Sequence, residues 1–145
     1  MCTGTGRLHG IGEKGRGVLL LSRAWPRRAL VYAALKEAGV DVYGVETPED
    51  AAEALWSWPG RFRLLLVDVA GMEAGEVGDA LGRARRAGLG GLVVAGPFER
   101  RRVPEDLPRG FRVVPKPVSV EALVAAVAEA LESPPCPCGA GGRGR

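Results

Sequence analysis

The chain has 145 residues and a formal net charge of +3; 46% of its residues are hydrophobic and 26% are charged. This length is sufficient for one domain whose core needs no disulfides, and no apolar run approaches the roughly eighteen residues that span a bilayer. We therefore expect a cytoplasmic protein without a membrane segment. The excess positive charge lies near the two ends, since residues 18–132 hold fifteen basic and sixteen acidic residues, so a nucleic-acid partner is not indicated.

Two further features of the composition concern origin and compartment. Neither asparagine nor glutamine occurs, which fits a thermophile. The three cysteines, Cys2, Cys136 and Cys138, are odd in number and lie near the ends, which argues for a reducing compartment and against a disulfide framework. Together with His9 they could supply four zinc ligands, but the paired spacing of a structural zinc site is missing, so no metal site is predicted.

The two ends are predicted to be flexible: a glycine-rich lead-in over residues 1–16 and a Pro/Gly/Cys/Arg tail over residues 133–145, on either side of a domain at 17–132. The lead-in contains Gly10-Ile-Gly12-Glu-Lys-Gly15, which matches the G-x-G-x-x-G pattern of dinucleotide-binding loops. Such a loop follows a strand and opens a helix, so that phosphate meets the helix N-terminus. Here the glycines precede the first strand, and we predict no nucleotide site.

Between these ends, short apolar runs alternate with amphipathic segments. The predicted strands are Val18–Leu21, Val40–Val45, Leu64–Val67, Leu92–Ala95 and Arg112–Val114. Helices are predicted from Pro26 to Gly39, from Thr47 through Trp56, over Glu76–Ala87, and from Ser119 to the pair Pro134-Pro135. The stretch 96–110 is long enough for a helix but carries three prolines, so any helix there should be short or broken. This alternation predicts an α/β fold: a doubly wound, five-stranded parallel sheet between two layers of helices.

Asp68 follows the most apolar of these strands, Leu64–Val67. Open α/β sheets collect their functional groups at the carboxyl ends of the strands, which makes Asp68 a candidate site residue. A simpler interpretation is an aspartate that only accepts a hydrogen bond from the following turn.

Several enzyme classes with this architecture need particular residues after the first strand, where this chain has Ser22-Arg23-Ala24-Trp25-Pro26. That segment is neither the phosphate loop of a flavodoxin nor the cysteine loop of a small phosphatase. Cobalamin binding and serine hydrolysis each need a histidine, and His9 in the lead-in is the chain's one histidine. Acid–base catalysis would need a second carboxylate at a strand end, and none falls there. We therefore predict that the chain is not an enzyme.

The apolar run into Asp68 and the later segment Val113-Val114-Pro115-Lys116-Pro117 together resemble a response-regulator receiver domain, over roughly residues 17–132. The resemblance implies the flavodoxin-like strand order 2-1-3-4-5, with the second strand at an edge. In that family the central aspartate, here Asp68, accepts a phosphoryl group from a sensor kinase in two-component signalling or a phosphorelay. The matching lysine and proline are Lys116 and Pro117, a pair usually joined by a cis peptide bond.

Four positions depart from the family's pattern. The resemblance implies two acidic Mg²⁺ ligands where this chain has Ser22 and Arg23, a hydroxyl at Ala95, and an aromatic side chain at Val113. Mg²⁺ prefers carboxylate oxygens, and an arginine cannot shed its proton to accommodate the cation. Without the metal, phosphoryl transfer loses much of its charge stabilisation.

These departures predict an atypical, stand-alone pseudo-receiver that acts through a protein partner, with no cofactor and without conventional phosphorylation. Asp68 is then expected to be held in an ion pair by Arg23 and Lys116. The alternative is a working phosphoacceptor, phosphorylated on Asp68 by a sensor histidine kinase with Mg²⁺.

Two surface features bear on partners. Family members commonly dimerise through the face of the fourth helix, fifth strand and fifth helix. The prolines in 97–110 should weaken that face. We therefore expect at most a weak homodimer, formed through the first and last helices. The run Arg100-Arg101-Arg102 has acidic neighbours and is interpreted as solvated surface, not a nucleic-acid patch. Of Trp56 and Trp58, one is expected in the core and the other over a loop, although an exposed tryptophan would suit an interface.

Overall fold

The computed structural model describes residues 15–132, which form one parallel five-stranded sheet in the order β2-β1-β3-β4-β5. The strands are β1 Gly17–Leu21, β2 Val42–Val45, β3 Phe62–Asp68, β4 Gly90–Ala95 and β5 Phe111–Pro115. The helices are α1 Trp25–Glu37, α2 Pro48–Ser57, α3 Ala74–Arg86 and α4 Val120–Glu132, with a 3₁₀ turn at Glu99–Arg102 between β4 and β5. All pairings are parallel, so the predicted fold class and strand order are confirmed.

The sheet has an apolar core on each face because the strands carry large aliphatic side chains at consecutive positions. Leu19 and Val67 point to the side covered by α2 and α3, whereas Leu20 and Leu66 point to the side covered by α1 and α4. Both faces of β1 and β3 are therefore buried, and the ends of these strands are held in register. That rigidity positions the residues that follow them.

The helices begin where side chains satisfy their first amide groups. Thr47 Oγ1 accepts a hydrogen bond from the Asp50 amide at 3.0 Å, and Ser119 Oγ accepts one from the Ala122 amide at 3.0 Å, as the capping patterns predict. The third helix begins at Ala74, two residues before the predicted start, and the side chain of Glu76 accepts a hydrogen bond from the Glu73 amide at 3.0 Å there.

The stretch 96–110 contains no α-helix, only the four-residue 3₁₀ turn, which agrees with the prediction from its prolines. β2 begins at Val42, two residues later than predicted, because α1 ends in a turn that uses Gly39 at φ +84°. Within the described residues no helix is long and apolar enough to cross a bilayer. Most of the predicted lead-in and of its glycine motif, the tail, the three cysteines and His9 lie outside the described residues.

Candidate functional site at the carboxyl edge of the sheet

The carboxyl ends of β1, β3, β4 and β5 bring the predicted site residues to one edge of the sheet. Ser22 follows β1, Asp68 ends β3, Ala95 ends β4, and Lys116 follows β5. Ser22 and Asp68 are the two buried polar residues of the described chain. Both side chains are buried because the strands that precede them are buried, so their polar atoms need hydrogen-bond or ion-pair partners within the domain.

Asp68 has three polar neighbours. Its Oδ1 accepts hydrogen bonds from the Ala70 amide at 3.0 Å and from Lys116 Nζ at 2.9 Å. Its Oδ2 lies 3.8 Å from Nε of Arg27, in the first turn of α1. The predicted Asp68–Lys116 ion pair is present, and so is the hydrogen bond to the following turn that the simpler interpretation proposed.

Lys116 also binds a second carboxylate. Its Nζ lies 3.1 Å from Glu99 Oε1, and the same oxygen accepts a hydrogen bond from the Gly96 amide at 2.9 Å. Burial lowers the pKa of Lys116, but the hydrogen bonds to Asp68 and Glu99 outweigh burial and hold that pKa above its ordinary value. Burial raises the pKa of Glu99, but the Gly96 amide and Lys116 outweigh burial and hold that pKa below its ordinary value. Asp68, Arg27, Glu99 and Lys116 are called the Asp68 cluster below.

The prediction that Arg23 pairs with Asp68 is wrong. Arg23 binds the carboxylate of Glu76 with two hydrogen bonds, of 3.1 and 2.9 Å, and donates a third, of 2.8 Å, to the carbonyl of Gly71. The hydrogen bond to Glu76 raises the pKa of Arg23 and lowers the pKa of Glu76. Glu76 is oriented toward Arg23 because it also caps α3, and Gly71 adopts a φ of +79° that favours glycine.

The contacts of Ser22, Ala95 and Val113 are with the backbone or the core, not with the Asp68 carboxylate. Ser22 Oγ accepts a hydrogen bond from the Ala24 amide at 3.2 Å, and its carbonyl accepts one from Arg28 at 2.7 Å. Ala95 is buried, and its carbonyl accepts the Lys116 amide hydrogen bond at 3.2 Å. Val113 packs beside the core on the side of α2 and α3. The Lys116–Pro117 peptide bond is cis, as the resemblance implies.

The residues around Asp68 do not fit a magnesium ion. No carboxylate directly follows β1, and the charged groups that contact the Asp68 carboxylate are the cationic heads of Lys116 and Arg27. The cavity of about 10 Å³ that Ser22, Arg27 and Asp68 help to line lies among apolar side chains under α1, and its volume is close to the minimum for one water. Within residues 15–132 no three His, Cys, Asp or Glu side chains lie close enough together to hold a metal ion.

A wider, open cavity of about 460 Å³ lies over Lys116. Phe98, Pro117 and Val118 form apolar walls, and Arg27 and Glu99 contribute charged heads. This cavity gives solvent and solutes access to the ammonium of Lys116.

Sequence reasoning missed Arg27, Glu76 and Glu99. Glu99 is one of the acidic neighbours of Arg100–Arg102, which the sequence predicts as solvated surface, although it lies only four residues beyond the end of β4. Its spacing of three residues from Gly96 was the available signal, because a glutamate at that distance can accept a hydrogen bond from the amide at the strand end. Arg27 and Glu76 gave no comparable signal.

Comparison with known proteins agrees with this geometry at the level of the fold. No protein-family model matches the chain, and no curated protein matches it in sequence. Solved receiver domains match it in structure. A response regulator receiver protein from Sinorhizobium medicae superposes with a TM-score of 0.68 at 18% identity, over 83% of this chain and 97% of that one. The chain has the fold of a response-regulator receiver domain.

Two other receivers support the same conclusion. The receiver domain protein from Clostridium thermocellum has a TM-score of 0.67 at 14% identity, over 79% of this chain and 93% of its own. The receiver domain of the hybrid histidine kinase CckA has a TM-score of 0.64 at 20% identity, over 79% and 98%. The receiver fold explains why Asp68 and Lys116 lie together at the ends of β3 and β5.

Proposed function

We propose that this receiver-like chain is a non-catalytic, cytoplasmic signalling module that acts by binding a protein partner, such as a sensor kinase or another signalling protein. In this proposal Asp68 is not phosphorylated by the conventional Mg²⁺-dependent route. The observation that carries the proposal is the environment of the Asp68 carboxylate: the cationic side chains of Lys116 and Arg27 lie beside it, and the residues directly after β1 supply no carboxylate.

The contacts of Lys116 add to this argument. Phosphoryl transfer relies on cationic groups that are available to the developing charge. Here the ammonium of Lys116 is shared between Asp68 and Glu99, and Glu99 also takes the amide of Gly96. An incoming phosphoryl group would have to compete with the carboxylate of Glu99 for the ammonium of Lys116 and for the amide of Gly96. Ala95 offers no hydroxyl as a replacement.

The alternative is a phosphoacceptor modified on Asp68 by a sensor histidine kinase. The observation that favours it is the retained hydrogen bond between Asp68 and Lys116. It requires Mg²⁺ to bind although Arg27 and Lys116 repel it, and Glu99 to leave Lys116.

Incubation of the full chain with a small phosphodonor at roughly millimolar concentration and Mg²⁺, followed by intact-mass measurement, tests the proposal. We expect no phosphoryl adduct. A phosphoryl adduct that is lost in Asp68→Asn would overturn the proposal and establish the alternative.

Titration calorimetry with Mg²⁺ provides a matched comparison. We expect no measurable binding to the unmodified chain at millimolar Mg²⁺. The double variant Ser22→Asp/Arg23→Asp should bind Mg²⁺ more tightly because it places two carboxylates beside Asp68. It should also unfold more easily, since Glu76 and the Gly71 carbonyl lose the guanidinium of Arg23. Equal Mg²⁺ affinity in the two proteins would show that the residues after β1 do not control the metal.

A further inference from the structure

Trp56 is the most exposed large apolar residue of the described chain, with 83% of its surface accessible. It lies in the last turn of α2. Trp58, two residues later, is 40% exposed and packs edge-on against Tyr43 at 5.0 Å, with the guanidinium of Arg61 also 5.0 Å from its ring centre. Within residues 15–132 no comparable ring or cation contact involves Trp56. The expectation that one of the two tryptophans enters the core is therefore wrong.

Trp56 borders a groove between α2 and α3, with a volume of about 270 Å³. We call it the α2–α3 groove; its walls are Ala52, Leu55, Trp56, Arg83, Arg86 and Ala87. The α2 residues are spaced three and four apart and share one helix face. Leu55 is partly buried against the core, so the groove has an apolar floor with a tryptophan at its rim.

The α3 side of the groove is cationic. Arg83 pairs with Asp79 at 3.0 Å, and both side chains remain about half exposed. Arg85 and Arg86 are exposed and form no ion pair with another residue of the described chain. The last turn of α3 thus presents an excess of positive charge beside an apolar floor.

We propose that the α2–α3 groove is a docking surface for a protein partner that presents an amphipathic helix. The apolar face of this helix is flanked by acidic residues. Tryptophan and arginine dominate the binding energy of protein interfaces, and here both border one apolar groove. In this proposal a leucine-type side chain of the partner would lie against Ala52, Leu55 and Ala87, and glutamates beside it would meet Arg83 and Arg86. The inference rests on the proposed function, because it supplies the partner-binding surface of that module.

The groove lies away from the Asp68 cluster. The helices run antiparallel to the strands that they connect, so the last turns of α2 and α3 lie at the amino edge of the sheet, whereas Asp68 lies at the carboxyl edge. A partner held at the groove would not cover the residues at the carboxyl edge. Nucleic acid is the less favoured occupant, because Trp56 is the groove's one aromatic residue and base stacking uses successive rings.

Fluorescence anisotropy with two labelled designed helices of about 18 residues tests the proposal on the full chain. Both probes carry leucines at a 3–4 spacing; one places glutamates beside the leucines, and the other places lysines there. We expect the acidic helix to bind at least about tenfold more tightly than the basic one, with an affinity that falls as salt rises. Equal binding of the two helices would overturn the proposal.

Variants locate the binding. Trp56→Ala should weaken binding of the acidic helix at least about tenfold, and Arg86→Glu should abolish its advantage over the basic helix. Trp25→Ala is the matched control, because Trp25 is also exposed, at 62%, but lies on α1 across the sheet; we expect a change below about twofold. Both Trp56 and Arg86 are exposed, so circular dichroism should show unchanged folding. A loss in Trp25→Ala as large as in Trp56→Ala would overturn the assignment.

The unmodified chain and its Trp56→Ala variant also test two other possible occupants of the α2–α3 groove. A dimer seen by light scattering that Trp56→Ala dissociates would show that a second copy fills the groove, and would overturn the acidic-helix proposal. Tighter binding of a single-stranded oligonucleotide than of the acidic helix would do the same. The mass measurement on Asp68 is independent of these results, so failure of the groove and failure of the proposed function are distinguishable.

Discussion

Lys116 determines whether the buried Asp68 carboxylate is compensated. Among residues 15–132 its ammonium alone binds both Asp68 and Glu99, and Arg27 lies farther from Asp68, at 3.8 Å. Removing one member of a buried ion pair leaves the other charge without its partner in a poorly solvated place. The cluster is therefore asymmetric: losing the lysine costs more than losing a carboxylate.

We predict that Lys116→Met destabilises the chain by about 2–3 kcal/mol, below the value for a fully buried pair because the Lys116 side chain is 22% exposed. Asp68→Asn should cost about 1 kcal/mol or less, since the amide oxygen still accepts from Ala70 and Lys116. Urea unfolding measures both changes. Arg112→Met is the control, because its 3.9 Å pair with Glu129 is exposed. A larger loss in Asp68→Asn than in Lys116→Met would contradict this assignment of charges.

Glu99 should make the stability depend on acid pH. Its pKa in the folded chain lies below the ordinary value of 4.5, so its contribution is complete above that value and is lost as the pH falls through the lower folded pKa. We predict that Glu99→Gln unfolds more easily than the unmodified chain near neutral pH, and that the difference narrows below about pH 4. Thermal unfolding from pH 7 to pH 3 measures this. Asp41 and Glu76, whose pKa values are also lowered, keep their own acid sensitivity in both proteins. A difference that widens on acidification would exclude this role of Glu99.

Among the secondary-structure elements, α3 and β4 use glycine for opposite reasons. Gly78 lies inside α3, where a methyl group would meet no other atom within 4 Å. Gly91 lies in β4, where a methyl group would overlap the ring of Phe111 on β5. The first glycine weakens its helix, and the second allows two strands and an aromatic side chain to pack.

We predict that Gly78→Ala stabilises the chain by about 0.5–1 kcal/mol, because alanine loses less backbone entropy in a helix. Gly91→Ala should destabilise it by about 1–3 kcal/mol through overpacking against Phe111. The two variants add the same methyl group, so each is the control of the other in denaturant unfolding. Equal changes in the free energy of unfolding would show that packing against Phe111 does not determine the effect of Gly91→Ala.

Several large exposed apolar residues lie on three separate surfaces of the domain. Trp25 and Leu30 lie on α1, Trp56 lies at the end of α2, and Phe98 lies next to the 3₁₀ turn. The α1 residues form the surface that the sequence suggested for weak self-association. The 3₁₀ turn is short and interrupted by prolines, and so offers little regular surface for a symmetric contact.

We predict a monomer with at most weak dimerisation through α1 and α4. Leu30→Glu should remove this association, because Leu30 is 61% exposed on α1 and a charge there opposes apolar contact. Light scattering over a concentration series measures it, with Trp56→Ala as the variant expected to leave it unchanged. A tight dimer with contacts centred on Arg100–Pro108 would contradict this prediction.

Local sequence patterns were enough to predict most of the architecture. The apolar runs of β1, β3 and β4, the hydroxyl groups of Thr47 and Ser119, and the prolines of 96–110 act through neighbours a few residues away, so the elements and their order follow from periodicity and capping. The proximity of Asp68 and Lys116 was implied by the resemblance to receiver domains, whose strand order places the carboxyl ends of β3 and β5 at one edge of the sheet.

The charge pairing was decided only by the tertiary structure. Arg23 and Glu76 are 53 residues apart, and their pairing depends on how the capping of α3 orients Glu76. Glu99 binds Lys116 because the 3₁₀ turn folds back over the end of β4. The exposure of Trp56 likewise depends on how α2 packs against α3. A long polar or aromatic side chain can reach several neighbours, and its contacts depend on three-dimensional packing that no sequence period encodes.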